Sequence, residues 1–189
     1  MFVNTIHKLA ALYYRVFYKI ASKFCKIVFV ISDSHSAINS DILNRIKDLP
    51  GTSLVHCGDW SAIEDYNEIK GLFPDLYGVC GNTETNEIEK KLPERLEFEI
   101  NGFKVIVIHE IDSYKKYVVK AEETGKILAL HGHTHHPSKK KIKKAYFFNP
   151  GSCGPKRFSN VPPSYGVVYF FKRHFIMSLH RIWFRETEN

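Results

Sequence analysis

Side chains of the kinds that bind metal ions recur along the chain, each group after a short apolar segment. They are Asp33 and His35, Asp59 in Gly58-Asp59, Asn82 in Gly81-Asn82, His109, and His133 and His135 in Gly132-His133-Thr134-His135. Imidazole, carboxylate and a neutral amide oxygen together suit manganese, iron, zinc or nickel better than a thiolate-seeking ion. Seven ligands are enough for two ions if one carboxylate bridges them. Two ions about 3.5–4 Å apart are a common arrangement for hydrolysing phosphate esters.

The first half of the chain predicts strands that alternate with helices. Continuous apolar runs of strand length mark buried strands, and apolar residues at helical spacing mark the segments between them. The predicted strands are Lys26–Ser32, Leu54–His56 and Leu76–Val79, and the predicted helices are Ser40–Asp48 and Ile63–Leu72. This alternation predicts a sheet with parallel strands and crossover helices.

The second half predicts hairpins as well, so the expected fold class is α/β with mixed strand pairing. Asn101-Gly102 between two apolar runs is a strong hairpin signal, and Gly125 suits a helix end. The predicted strands are Leu96–Ile100, Phe103–Ile108, Ile127–Leu130, Tyr146–Phe148, Tyr165–Phe171 and Phe175–Trp183. In open α/β sheets ligands gather beyond the carboxyl ends of the strands. We therefore expect five strand ends to deliver the seven ligands to one edge.

Residues 1–25 form a separate predicted unit, a basic amphipathic helical extension, before a single domain at 26–189. An apolar stripe recurs at spacings of three and four residues, with lysine and arginine on the other faces. The stripe comprises Phe2, Ile6, Leu9, Tyr13, Val16 and Ile20, with Val3, Ala10, Phe17 and Phe24 beside them. Packing on the domain or self-association is the favoured interpretation because the stripe resembles a helix–helix seam. Contact with an anionic membrane surface is the alternative.

Composition narrows the class of protein further. The 189 residues carry a net charge of +7, which favours an anionic partner such as a phosphate ester, a nucleic acid or an acidic membrane surface. No apolar run approaches the ~18 residues that span a bilayer, and the basic N-terminus lacks a clear small-residue cleavage site. The four scattered cysteines predict reduced thiols. We therefore expect a cytoplasmic protein.

The chain resembles the calcineurin-like metallophosphoesterases, most closely the small bacterial and archaeal phosphodiesterases of that superfamily. The resemblance covers about residues 26–185, and the turn Asn149-Pro-Gly-Ser152 is similar to theirs. Any single motif is weakly specific, whereas the ordered set is specific. The motifs are Asp33-Ser-His35, Gly58-Asp59, Gly81-Asn82, His109 and Gly132-His-Thr-His135.

The resemblance implies a fold, a metal centre and an activity. The implied fold has two mixed β-sheets packed as a sandwich and flanked by helices. Two divalent ions are implied, with manganese favoured and nickel, zinc, iron or magnesium as alternatives. A hydroxide shared by both ions would attack a phosphodiester of a small molecule, with Asp59, Asn82 and His109 as catalytic residues. One ion would be held by Asp33, His35, Asp59 and His135, and the other by Asp59, Asn82, His109 and His133.

Two positions depart from the family pattern. Thr83 stands where many larger relatives have a histidine that protonates the leaving group, and threonine is no general acid near neutral pH. Glu110 stands where the family usually has glycine. A carboxylate there would narrow the site, repel substrate or contact the ligands.

Two other functions compete with the phosphodiesterase. One is a non-catalytic interaction module, as in the retromer subunit that shares this fold; that subunit departs from the family at the first-motif histidine, whereas His35 is present here. The other is a nuclease, suggested by the net charge and by the run Ser138-Lys-Lys-Lys-Ile-Lys-Lys144. A solvated basic hairpin is the default interpretation of that run.

Overall fold

The computed structural model describes residues 12–13, 15–47, 49, 52–154 and 161–182. The first described element is a helix, α1, with residues 12–13 and 15–21 described. It continues with β1 Lys26–Ile31, α2 Ser40–Ile46, β2 Thr52–His56, α3 Ile63–Leu72, β3 Leu76–Gly78, α4 Asn86–Glu89, β4 Arg95–Ile100, β5 Phe103–Ile108, α5 Tyr114–Thr124, β6 Ile127–Leu130, β7 Ser138–Ile142, β8 Ala145–Asn149, β9 Ser164–Phe170 and β10 Phe175–Arg181.

The strands form two five-stranded mixed sheets. The first has the order β10-β9-β1-β2-β3, and the second has the order β4-β5-β6-β8-β7. In the first sheet β1, β2 and β3 are parallel, while β9 runs antiparallel to β1 and β10. In the second sheet β5, β6 and β8 are parallel, and β4 and β7 are antiparallel edge strands. The parallel strands therefore end at the loops that carry the predicted ligands.

The core is layered as helices, sheet, sheet and helix. Alternate residues of the central strands, such as Val28, Val55, Val107 and Leu130, meet between the sheets. The outer face of the first sheet packs against α1, α2 and α3, and that of the second sheet packs against α5 through Tyr117. The predicted fold class, two mixed sheets in an α/β sandwich flanked by helices, is confirmed.

Local sequence signals explain several element ends. The side chain of Asn39 accepts hydrogen bonds from the backbone N–H groups of Asp41 and Ile42 and so caps α2. Asn101 and Gly102 have φ values of 49° and 79°, as a two-residue turn between β4 and β5 requires. Gly125 ends α5 with a φ of 95°. The sequence analysis missed the short helix α4. Strand β7 pairs with β8 as the basic hairpin that was the default interpretation of the lysine run.

Helix α1 packs on the first sheet through a side chain outside the predicted stripe. Tyr18 is 4% exposed, lies 5.5 Å from the ring of Phe29 and stacks on Tyr169. The described members of the stripe, including Val16 and Ile20, are exposed. The expectation that the stripe packs on the domain is therefore wrong for these residues. The rest of the stripe and the boundary of a 1–25 extension lie partly outside the described residues, and the domain division stays a prediction.

Two further expectations concern the whole chain. The four cysteines are buried as free thiols, as their scattered spacing predicts. Among the described residues, no helix has both the length and the hydrophobicity needed to cross a bilayer.

Candidate metal centre

The loops that follow β1 and β2 are joined by backbone hydrogen bonds that bring their ligands together. The backbone N–H of Asp33 donates to the carbonyl of Gly58 at 3.0 Å, and that of His35 donates to Asp59 at 3.0 Å. The loops after β5 and β6 are joined in the same way, because the N–H of Gly132 donates to the carbonyl of His109 at 2.9 Å. The fold therefore gathers all the predicted ligand loops at one end of the sandwich.

The first group of ligands forms a compact cluster. Its members offer ligand atoms that all lie within 4.8 Å of one another. His35 Nε2 is 3.3 Å from His135 Nε2 and 3.6 Å from Asp59 Oδ2, and His135 Nε2 is 3.5 Å from Asp33 Oδ1. The four residues are Asp33, His35, Asp59 and His135.

The second group is centred on the side-chain oxygen of Asn82. His109 Nε2 and His133 Nδ1 each lie 3.0 Å from Asn82 Oδ1. His109 Nε2 is also 3.4 Å from Asp59 Oδ1. The structure thus brings all seven residues into two adjacent groups, and Asp59 belongs to both.

Asp59 lies between the groups with one oxygen directed to each. Its Oδ1 also accepts hydrogen bonds from the backbone N–H groups of Asn82 at 2.8 Å and Thr83 at 3.1 Å. Burial opposes ionisation of Asp59, but the hydrogen bond and charge of His109, the Asn82 N–H and the charge of His35 outweigh it and hold its pKa below the ordinary value. Asp59 is therefore an anion at neutral pH, as a bridging ligand must be.

The chemistry of the donors fits divalent metal ions. Asp33 Oδ2 is buried and has no hydrogen-bond partner among the described residues, a costly arrangement for a carboxylate oxygen unless a cation is bound. Burial and the charge of Asp59 raise the pKa of Asp33 to about 6. Burial and the neighbouring His35 lower the pKa of His135 to about 4. Neutral imidazole is the form that ligates metals.

The tautomer of His109 is also set for ligation. Its Nδ1 donates to the backbone carbonyl of Cys57 at 2.8 Å, so Nε2, which faces Asn82 and Asp59, is the nitrogen that would give up its proton and bind a metal ion. Ligating histidines commonly donate their other ring N–H in this way. Burial opposes protonation of His109, but Asp59 and the Cys57 carbonyl raise its pKa overall.

Most of the predicted ligands have a strained backbone conformation. Left-handed φ values cost about 1 kcal/mol or more for non-glycine residues and persist where the surrounding structure enforces them, often at functional sites. Five of the seven predicted ligands have such values, with φ between 46° and 69°: Asp33, His35, Asp59, His133 and His135.

Glu84 links the loop after β2 to the loop that carries Asn82 through backbone hydrogen bonds. The sequence analysis did not identify this residue. Its Oε1 accepts hydrogen bonds from the N–H of Gly81 at 2.8 Å and of Trp60 at 3.1 Å. Its Oε2 accepts from Trp60 at 3.0 Å and from Ser61 at 2.9 Å. The loop after β2 is thereby held against the loop that carries Asn82. An acidic residue two positions after the Gly-Asn pair was the available signal.

The Asn149-Pro-Gly-Ser152 turn donates hydrogen bonds to the backbone of two of the loops that carry predicted ligands. The side-chain amide of Asn149 donates to the carbonyl of Gly132 at 2.7 Å, and the hydroxyl of Ser152 donates to the carbonyl of Asp33 at 2.8 Å. The turn therefore positions the first and last ligand motifs without touching the ligand atoms.

The two departures from the family pattern lie beside the second group. Thr83 is exposed next to Asn82. Glu110 Oε1 is 3.6 Å from His133 Nε2, on the side of the ring opposite the nitrogen that faces Asn82. His56 is structural instead: it is buried, its ring stacks on Trp60 at 3.6 Å, and its Nε2 lies 3.0 Å from Ser34 Oγ.

Comparison with known proteins agrees with this geometry. Residues 27–172 match the calcineurin-like phosphoesterase superfamily domain, so the chain belongs to that superfamily. No curated protein matches the chain.

Solved structures of the same fold come from bacteria, archaea and eukaryotes. A conserved uncharacterised protein of Streptococcus pneumoniae, a predicted phosphoesterase, is 26% identical over 83% of this chain and 90% of its own, with a TM-score of 0.64. An archaeal phosphodiesterase is 19% identical over 82% and 99%, with a TM-score of 0.60. Wild-type Vps29 of Entamoeba histolytica, complexed with Zn²⁺, is 20% identical over 82% and 98%, with a TM-score of 0.66. The last two similarities establish the fold alone.

Proposed function

We propose that the chain hydrolyses phosphodiester bonds of small molecules with two divalent metal ions. The observation that carries the proposal is the position of Asp59, whose two carboxylate oxygens face two different ligand groups at 3.6 Å and 3.4 Å. Two ions bound there would supply a hydroxide nucleophile and positive charge for the phosphate oxygens. Manganese is the favoured ion, and the combination of imidazole with carboxylate and amide oxygens also suits iron, zinc and nickel.

The chain's own residues would prepare this chemistry. Asp59 stays ionised and gives each group an anionic oxygen. Asn82 contributes a neutral oxygen, which completes the second group without further negative charge. His109 is held by the Cys57 carbonyl with Nε2 directed at both of them. These three residues are the proposed catalytic ones, since Asp59 belongs to both ligand groups and Asn82 and His109 contact it in the second.

The substrate class follows from what surrounds the second group. Thr83 offers no proton to a leaving oxygen, and general-acid help is typically worth ~10²–10⁴-fold. The Glu110 carboxylate, close to His133, adds negative charge at the same place. A monoester dianion carries one charge more than a diester into this region. Diesters with good leaving groups should therefore react faster than alkyl monoesters.

Metal analysis of the whole chain, loaded with excess Mn²⁺ and then desalted, tests the proposal. We expect close to two ions per chain. Asp59→Asn should lose most of both, because a neutral amide bridges two cations poorly. The matched control is Asp112→Asn, an exposed aspartate whose partner is Lys116 on α5, and it should retain both ions. A stoichiometry near one in the unaltered chain would contradict the two-metal centre.

Turnover is measured on the same preparations. Bis- and mono-nitrophenyl phosphate, with one metal at a time, give kcat/KM for a diester and a monoester. A clear preference for the monoester would contradict the substrate class while leaving the metal count unaffected. Absence of turnover with two ions bound would contradict the enzymatic function.

A protein-interaction module is the second candidate, favoured by the likeness to Vps29 structures. It differs from the enzyme in requiring no turnover, so the assay above separates the two. A nuclease is the third candidate. Its supporting observation is β7, an edge strand with exposed Lys139, Lys140 and Lys141. Competition of nitrophenyl diester hydrolysis by DNA or RNA tests it.

A further inference from the structure

The exposed apolar surface of the described chain is concentrated on one short segment. Eleven large apolar side chains are exposed in the described residues, and six of them lie between positions 12 and 24. Exposed apolar side chains clustered in this way mark interaction sites more often than scattered ones do. The six, which we call the α1 face, are Leu12, Tyr13, Val16, Phe17, Ile20 and Phe24.

The α1 face points away from the domain. Tyr18 is the side chain by which α1 packs on the first sheet. Val16 and Ile20 each lie two positions from Tyr18, a rotation of about 200° around the helix, and they are 49% and 54% exposed. Val16 and Ile20 are therefore on the side of the helix opposite the anchor, and Phe24 follows the end of the helix. The described part of the domain leaves this face exposed.

The charged residues of this segment are all positive. Arg15, Lys19 and Lys23 are exposed in the same segment. No aspartate or glutamate precedes Asp33 in the sequence, and Lys8 adds a further positive charge. Lysine and arginine stems can lie along apolar surface while their charged ends reach a polar layer.

The apolar side chains and the positive charges together favour a lipid surface over a second copy of the chain as the partner of the α1 face. If two copies packed face to face, α1 would bring only positive charges to the junction, and like charges there oppose association. A lipid surface with anionic headgroups satisfies both features, because its acyl region takes the apolar side chains and its headgroups take the cations. Phe and Tyr side chains suit the boundary between the two.

We propose that α1 is a membrane-surface anchor that docks the domain on anionic lipid, with the α1 face in the interfacial layer and the helix parallel to the surface. Arg15, Lys19 and Lys23 contact the headgroups. The metal centre is not involved, so this inference is independent of the proposed reaction.

Vesicle co-sedimentation of the full chain tests the proposal, with phosphatidylcholine vesicles alone or mixed with phosphatidylglycerol. We expect binding to the mixed vesicles, weakening as salt is raised. Val16→Ser/Ile20→Ser should weaken it about tenfold or more. The matched control, Val119→Ser/Ile176→Ser, removes the same residue types at 45% and 51% exposure on other elements and should bind normally.

A second pair of variants tests the charges. Lys19→Glu/Lys23→Glu should weaken binding to the anionic vesicles about tenfold or more. Lys115→Glu/Lys126→Glu makes the same change in net charge at exposed positions elsewhere and should have a much smaller effect. The proposal is overturned if the unaltered chain binds neither vesicle, or if each variant matches its control. It is also overturned if light scattering shows a dimer that Val16→Ser/Ile20→Ser converts to monomer without any vesicle binding.

Discussion

Replacing the Glu84 carboxylate by an amide should loosen the metal centre although Glu84 is not a predicted ligand. Both carboxylate oxygens accept hydrogen bonds from the backbone: Oε1 from Gly81 and Trp60, and Oε2 from Trp60 and Ser61. A glutamine keeps one acceptor oxygen and turns the other position into an NH₂ group. That group would face backbone N–H donors, with which it cannot form hydrogen bonds.

The expected loss can be worked from these contacts. A hydrogen bond to a charged acceptor contributes roughly 1.5–3 kcal/mol, and a donor left unsatisfied when buried costs roughly 1–3 kcal/mol. Glu84 is only partly buried, so water can reach some of the donors and the lower ends of both ranges apply. We therefore expect Glu84→Gln to lower the free energy of unfolding by about 2–3 kcal/mol. Because Gly81 and Trp60 adjoin Asn82 and Asp59, metal affinity should also fall, by about 10–100-fold.

Urea denaturation of the metal-free chain measures the stability, and titration with Mn²⁺ measures the affinity. Glu123→Gln, an exposed change of the same type on α5, should alter neither. A loss below about 0.5 kcal/mol, the usual size of a surface effect, would refute the reasoning that Glu84 holds the two loops together. A loss of stability with unchanged metal affinity would refute the second part, that the loops position the ligands.

Three other changes test separate parts of the structure. A methyl group at Gly81 would overlap the Asp59 carboxylate, so Gly81→Ala should lower the metal count, whereas Gly71→Ala, with open space around it, should not. Thr83→His should raise kcat/KM more for alkyl diesters than for nitrophenyl diesters, because only poor leaving groups need the added proton donor. Burial and the charge of Arg45 lower the pKa of His180 in the folded state. The unfolded state therefore binds this proton more readily, so the free energy of unfolding falls as pH falls below about 6.5. His180→Phe should therefore show a shallower loss of stability on acidification, as measured by urea unfolding.

The sequence was sufficient for most of the fold because its two periodicities are clear. Lys26–Ile31 is a continuous apolar run and forms a central strand, buried except at its first residue, and Ile63–Leu72 has the predicted helical bounds. Strand β7 lies in the basic hairpin expected at the lysine run, although Ser138–Ile142 is mostly lysine and has no apolar periodicity. An edge strand needs no apolar face and is often protected from further pairing by such charges. Helix α4 was missed because four residues are too few for periodicity to identify.

The candidate site was predictable residue by residue only where a ligand type follows a strand. Asp33 and Asp59 do, and so does His109. Glu84 follows no strand, and only the fold shows that its carboxylate meets the backbone of Trp60 from another loop. The orientation of α1 was not predictable either. Its long stripe suggested packing on the domain or self-association, whereas Tyr18, which lies outside the stripe, makes the observed contact with Phe29.

These differences have a common physical origin. Ligand residues are constrained by their own chemistry, so their types remain visible in sequence, whereas the groups that hold them act through the backbone and can be of many types. Five predicted ligands have left-handed φ values. Each such conformation costs about 1 kcal/mol or more, so the backbone would relax to a normal conformation if nothing opposed it. Hydrogen bonds that Glu84 accepts from the loops, and that Asn149 and Ser152 donate to them, oppose that relaxation. The centre is therefore expected to be formed by the fold before metal binds, unlike a site that folds around its ion.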